Sequence, residues 1–211
     1  MTAASGRRKA GRRRHNDPQG LRARILDQAA RLFQERGYHS TSMHDLMQET
    51  GVSAGALHHH FPTKKSLALA VLADRVRPVV CRAWIDPVRN APALGKGIAD
   101  AFSGIIGGMR TGAVQGCPLN NLTLELALTD SDLRRGVESI FAEWRSALIE
   151  RIGDTRGGAR LDDGGRAAAA NFVISVYSGA MNMAKAAQST APLADALELL
   201  SHWLNERRLA A

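Results

Sequence analysis

The sequence predicts an all-α protein, and three observations carry that prediction. Of its 211 residues, 57 are Ala or Leu and only 28 are Val, Ile or Thr. Ala and Leu lose little on entering a helix, whereas β-branched residues favour strands. Apolar residues recur at three- and four-residue spacing, not in alternation. Most of these runs are bounded by residues that cap or break helices.

The elements follow in order. Leu21, Ile25, Ala29, Leu32 and Phe33 share one face of a helix over 21–36, and Gly37 ends it. Ser42 and Asp45 have the spacing of a reciprocal capping pair, so a second helix runs to about Thr50. Gly51 supplies a tight turn. Ser53 caps a short third helix, Ala54 to His60, which Phe61-Pro62 stops because Pro disfavours helix at the residue before it. Thr63 caps a fourth helix that continues towards Arg77. Pro78, Pro87 and Pro92 predict a less regular region after it. Further helices are predicted over 93–110, from Pro118 to about Leu128, from Asp130 to Ile152, over 166–188 and over 192–207. The polar, Gly-rich stretch 153–165 is expected to be a loop.

Charge is unevenly placed. The chain carries a formal +8, of which +5 falls in the first 19 residues, where Arg7, Arg8, Lys9, Arg12, Arg13 and Arg14 face one acid, Asp17. Such an arm is expected to be disordered alone and drawn to polyanions. Two cysteines, Cys81 and Cys117, are too few for a disulfide framework. No secretory signal is visible, and the quiet stretch 166–185 is interrupted by Asn171, Ser175, Ser178 and Asn182. The expectation is a cytoplasmic protein with no membrane contact.

Two short helices joined by a Gly-containing turn, after a longer first helix, describe a helix-turn-helix. In that arrangement the third helix lies in a major groove, and a slim start such as Ser53-Ala54-Gly55-Ala56 suits the narrow fit. Residues 21 to 72, through the string RILDQAARLFQERGYHSTSMHDLMQETGVSAGALHHHFPTKKSLALAVL, closely resemble the DNA-binding domain of TetR-family transcriptional regulators. The resemblance implies an all-α homodimer. Its parts would be a basic arm over 1–19, a DNA-binding domain over 20–66 and a ligand-binding, dimer-forming domain over 67–211. It also implies DNA contacts at Thr41 and Ser42, at Ser53, Ala54, Gly55, Ala56, His58 and His59, and at Lys64. Two positions depart from the family's habit: Lys often stands where Ala54 is, and Tyr where His58 is. Three consecutive histidines, His58 to His60, point in different directions on a helix, so no metal site is expected. No cofactor is implied.

In the C-terminal part, the string GCPLNNLTLEL is similar to a segment of NemR-like regulators that sense electrophiles, which implies Cys117 as a sensing thiol with Lys185 near it. Physically, Cys117 would cap the helix opened by Pro118. The helix dipole and an ammonium would then both lower its pKa; the other reading is a buried, inert cysteine that fills space under the helix end. A reversible pocket is the other expectation, with its lining drawn from Phe102, Ile106, Met109, Phe141, Trp144, Phe172, Tyr177 and Met181, of which only some can line it and the rest are ordinary core. The stripe Asn171, Ser175, Ser178, Asn182, Lys185 could face that pocket or a partner subunit. Cys117 has no histidine close in sequence, and no phosphate loop appears, so an enzyme is not expected. The sequence therefore predicts a repressor that binds a near-palindromic operator as a dimer and is released by a small-molecule or electrophilic effector. The alternative is a sequence-blind architectural DNA-binding protein.

Overall fold

A computed structural model describes residues 17–109 and 112–211, and they form helices joined by short turns. No strand occurs among the described residues. Most of the proposed basic arm lies outside them. Its boundary shifts, because Pro18 and Gln19 already belong to the first helix. Asp17 caps that helix by accepting from the Gly20 amide at 2.9 Å, and Pro18 at the first position needs no hydrogen-bond partner.

Helices α1 (Pro18–Arg36), α2 (Met43–Thr50) and α3 (Ala54–His60) form the N-terminal bundle. The predicted capping pair is present. Ser42 Oγ accepts from the Asp45 amide at 3.1 Å, and Asp45 Oδ2 accepts from the Ser42 amide at 2.7 Å. Gly51, at φ +67°, makes the turn between α2 and α3 in a conformation that disfavours a side chain. Ile25, Leu32, Phe33, Leu46 and Leu57 fill the space between the three helices.

The fourth element departs most from the sequence expectation. Helix α4 (Lys64–Val71) does not give way to irregular chain. It continues without a break through Leu72–Val76, α5 (Arg77–Val80), Cys81–Ile85 and α6 (Asp86–Asn90) as one rod. Two wide turns make this possible. The Arg77 amide bonds back five residues to Leu72 O, and the Asp86 amide bonds back five residues to Cys81 O. Each sits one residue before a proline. The widened turn relieves the clash between the proline ring and the carbonyl four residues earlier, so Pro78 and Pro87 are tolerated inside the helix.

Helices α7 (Leu94–Gly108), α8 (Pro118–Leu126), α9 (Ser131–Gly153), α10 (Asp163–Ala187) and α11 (Ala191–Glu206) complete the C-terminal part around the rod. The expected 153–165 loop contains a short 3-10 turn, Gly158–Arg160, and its end is already helical. At Gly97 a Cβ would lie 2.8 Å from Pro87 O, so α6 and α7 cross closely only because that residue is glycine. No helix among the described residues is long and apolar enough to cross a membrane.

Candidate DNA-reading head and effector core

Helix α3 is held by a single fully buried side chain, Leu57, with Phe61 just beyond its end. Its first turn points away from the bundle. Ser53, Ala54 and Gly55 are exposed, and a Cβ built on Gly55 would touch nothing within 4 Å. Ser53 Oγ accepts from the Ala56 amide at 3.3 Å. His58 and His59 are exposed on the same short helix, and His58 Nδ1 lies 3.3 Å from Pro62 O. The expected reading residues thus share one outward surface.

Two of the expected contacts are placed differently. Thr41 is buried, and its hydroxyl donates at 2.8 Å to Gly37 O, so it closes the α1–α2 turn and has no donor left for a phosphate. Lys64 is half-buried. Its ammonium sits 4.2 Å from the Tyr38 ring centre and donates to His39 O at 3.3 Å, and burial lowers its pKa. Ser42 is exposed, but its hydroxyl is engaged with Asp45, and those hydrogen bonds hold the Asp45 carboxyl below the usual carboxylate range.

In the C-terminal part the eight pocket residues do not line one cavity. Phe102, Trp144, Tyr177 and Met181 are buried core. Phe102, Trp144 and Tyr177 close around Trp84, whose ring centre lies 4.8 Å from Tyr177 and 4.9 Å from Trp144. Phe141 stacks on Trp144 at 6.3 Å, and Ile106 and Met109 are partly buried at the edge of the core. Phe172 is 42% exposed and lies on the opposite face of α10, 4.6 Å from Trp203. Among the described residues, Trp144 Nε1 and Asn120 Nδ2 are buried donors without partners, while Trp84 Nε1 faces the Tyr177 hydroxyl. Trp84 and Asn120 were missed by sequence reasoning. Trp84 stands between two prolines, where a regular helix was not expected.

Cys117 does precede α8 as expected, and its surroundings are those of a buried thiol. The thiol is buried, and desolvation pushes its pKa up against the opposing pull of the α8 amides and Tyr177. Lys185 does not pair with the thiol. Its ammonium donates to Asn121 Oδ1 at 3.2 Å, and it is exposed. The remaining stripe residues Asn171, Ser175 and Asn182 are also exposed, and Ser178 donates to Asn120 Oδ1 at 3.4 Å.

The N- and C-terminal parts are tied along one seam. Gln34 donates to Gly116 O at 2.9 Å, the His39 amide donates to Glu125 Oε2 at 2.8 Å, and Lys65 pairs with Asp130 at 2.8 Å.

Residues 25–71 match the family model described as bacterial regulatory proteins, tetR family. Residues 96–198 match that of the C-terminal domain of LmrA/YxaF-like transcriptional regulators. The HTH-type transcriptional regulator LmrA of Bacillus subtilis is 30% identical over 141 residues, covering 64% of this chain and 72% of that protein. A Lactococcus lactis HTH-type regulator encoded in the lacX 3' region is 24% identical, covering 84% of this chain and 89% of that one. Among solved structures, a TetR transcriptional regulator from Chloroflexus aurantiacus superposes with TM-score 0.78 at 26% identity, covering 92% of this chain and 98% of that one. Reduced NemR from Escherichia coli shares the fold at TM-score 0.76 and 19% identity, covering 87% and 96%. With its outward α3 and its helical core, the chain belongs to the TetR family of bacterial DNA-binding transcriptional regulators and is not an enzyme.

Proposed function

We propose that the protein is a dimeric repressor that holds a near-palindromic operator through α3 and releases it when a small, largely apolar effector enters the C-terminal core. The observation that carries the reading is the outward first turn of α3. Ser53, Ala54 and Gly55 are small enough for close approach to base edges, with His58 and His59 beside them. Thr41 and Lys64 support the head from within it. Phosphate contacts then fall to the α2 N-terminus around Ser42 and to the arm cations.

A two-fold dimer would set two α3 helices about one DNA turn apart, roughly 34–36 Å. Phe172 on α10, with Met183 and with Leu199 on α11, leaves apolar surface exposed there, which supports these two helices as the dimer face. For the effector, the core around Trp84, Trp144 and Tyr177 supports occupancy by a neutral molecule bearing acceptors. The unpartnered donors of Trp144 and Asn120 would gain hydrogen bonds, and the closely packed rings would have to part to admit an apolar body. Release follows only if the effector prefers the core geometry of the non-binding pose. The buried, protonated state of Cys117 favours this reversible reading over thiol modification.

The test is competition binding. An operator selected from random duplexes should be held at least ~1,000-fold more tightly than scrambled DNA. A ratio near one would instead support an architectural protein. Replacing Cys117 with Ser should leave effector-driven release intact; loss of release would return the thiol to the mechanism.

A further inference from the structure

Outside the core, a cleft of about 590 Å³ opens between α1, the rod and the start of α8. That volume falls within the range of small-ligand sites, roughly 300–1,000 Å³. Its apolar surface comes from Ala30, Val71, Pro78, Val79 and Leu122, and Val79 is 38% exposed. Past Val79 and Arg82 it continues into a second hollow of about 390 Å³ beside Ile105 on α7, where a Cβ on Gly104 would touch nothing within 4 Å.

Arg82 stands where the two hollows meet. The other arginines of the rod are engaged: Arg75 with Asp27 at 2.6 Å, Arg77 with Glu143 at 2.6 Å and Arg89 with Glu150 at 3.5 Å. Among the described residues, Arg82 has neither a carboxylate nor a hydrogen-bond acceptor. The acids on these walls are used elsewhere, Asp74 by Arg22 and Asp100 by Lys96. An unpaired guanidinium at the centre of a mostly apolar groove selects for a ligand with one acidic group and a hydrocarbon body.

We propose that this groove is a second small-molecule site, distinct from the aromatic core, which binds an amphipathic organic anion with its acidic head on Arg82 and its tail along Val79, Pro78 and Leu122. Three parts of the molecule meet there. Ala30, Arg31 and Gln34 belong to the DNA-binding bundle, Val79 and Arg82 to the rod, and Gln115 and Pro118 to the lead into α8. A ligand seated in it bears on the position of α1 relative to the C-terminal part.

Isothermal titration of the full chain with octanoate and with 1-octanol tests this without DNA, so its outcome is separable from that of the operator reading. Octanoate should bind about tenfold or more tightly than the alcohol, in line with a charge-assisted hydrogen bond. Arg82→Gln should erase that preference and leave the alcohol's affinity within about twofold. The side chain is exposed and unpaired, so this variant keeps the fold. Val79→Trp, which fills the groove, should abolish binding of both. No binding of octanoate, a carboxylate preference that survives Arg82→Gln, or binding that survives Val79→Trp would each overturn the proposal.

Discussion

Replacing Leu57 with Ala tests how the reading head is held. Leu57 is fully buried and is the one buried residue within the seven of α3. A helix of that length has no independent stability, so its docking rests on tertiary contacts. Truncating a fully buried leucine removes transfer free energy and leaves a cavity, which together cost about 3 kcal/mol. For a chain of this size that corresponds to a fall in Tm of roughly 6–12 °C. Because the loss falls on α3 docking, the population of the binding-competent head shrinks and the apparent operator affinity falls with it. Thermal and urea unfolding followed by circular dichroism measure the first effect, and amide exchange at Ala56 to His60 the second. Leu57→Met, close to isosteric, should cost less than about 1.5 kcal/mol. If Leu57→Ala costs under about 1 kcal/mol with no faster exchange in α3, the head is held by something other than this side chain.

The remaining predictions concern charge and protonation. Deleting residues 1–16, which preserves the Asp17 cap, should flatten the dependence of log affinity on log salt by about 0.9 for each arm cation that touches a phosphate; an unchanged slope removes the arm from the interface. Native protein should expose at most one thiol to Ellman's reagent, Cys81, with Cys117 appearing only on unfolding. Since burial raises the Cys117 pKa, its protonated form favours the fold below the ordinary thiol value and that contribution fades as pH rises through the raised value. Cys117→Ser should therefore reduce the alkaline loss of stability. Asp45 runs the other way. Its depressed pKa contributes stability above the ordinary carboxylate value that is lost as pH falls through the depressed one, and Ser42→Ala should shrink that acid-side step in a pH series of urea midpoints.

The N-terminal bundle was largely legible because its signals are local. Ser42 and Asp45 are three residues apart, Gly51 has no Cβ, and Ser53 and Thr63 cap the helices that follow them. The rod was not legible. A proline inside a helix normally ends or kinks it, and nothing nearby in sequence announces that a five-residue turn will absorb Pro78 and Pro87. What keeps the rod continuous is packing of Val80, Trp84, Ile85 and Val88 against the core, which is long-range. Cys117 shows the same limit. Its place at the start of α8 could be read from Pro118, whereas its pKa is set by burial in the assembled core, with Tyr177, sixty residues away in sequence, pulling the other way. The pocket residues were correctly apolar, but helical periodicity does not distinguish a face that packs inward, such as that of Tyr177, from one that looks outward, such as that of Phe172.

The seam explains how core occupancy could reach α3. Helix α8 is only nine residues long and is fastened to the DNA-binding bundle near both ends, through Gln34 at Gly116 and through Glu125 at the His39 amide. Asn120, with its unpartnered donor in the core, lies between those ends. A molecule that displaced Asn120 would shift α8 as a body, and the α1–α2 turn would follow because Glu125 holds it. That turn is fitted tightly to the carboxylate: Gly37 has φ +90°, and a Cβ there would lie 2.8 Å from Glu125 Oε1. Glu125→Ala should thus leave effector binding and effector-free operator affinity nearly unchanged, yet reduce the factor by which effector weakens DNA binding. The readout is the ratio of operator affinities with and without effector, which reports the coupling free energy between the two sites. An unchanged ratio would mean that the signal travels through the rod and the Lys65–Asp130 pair instead of through α8.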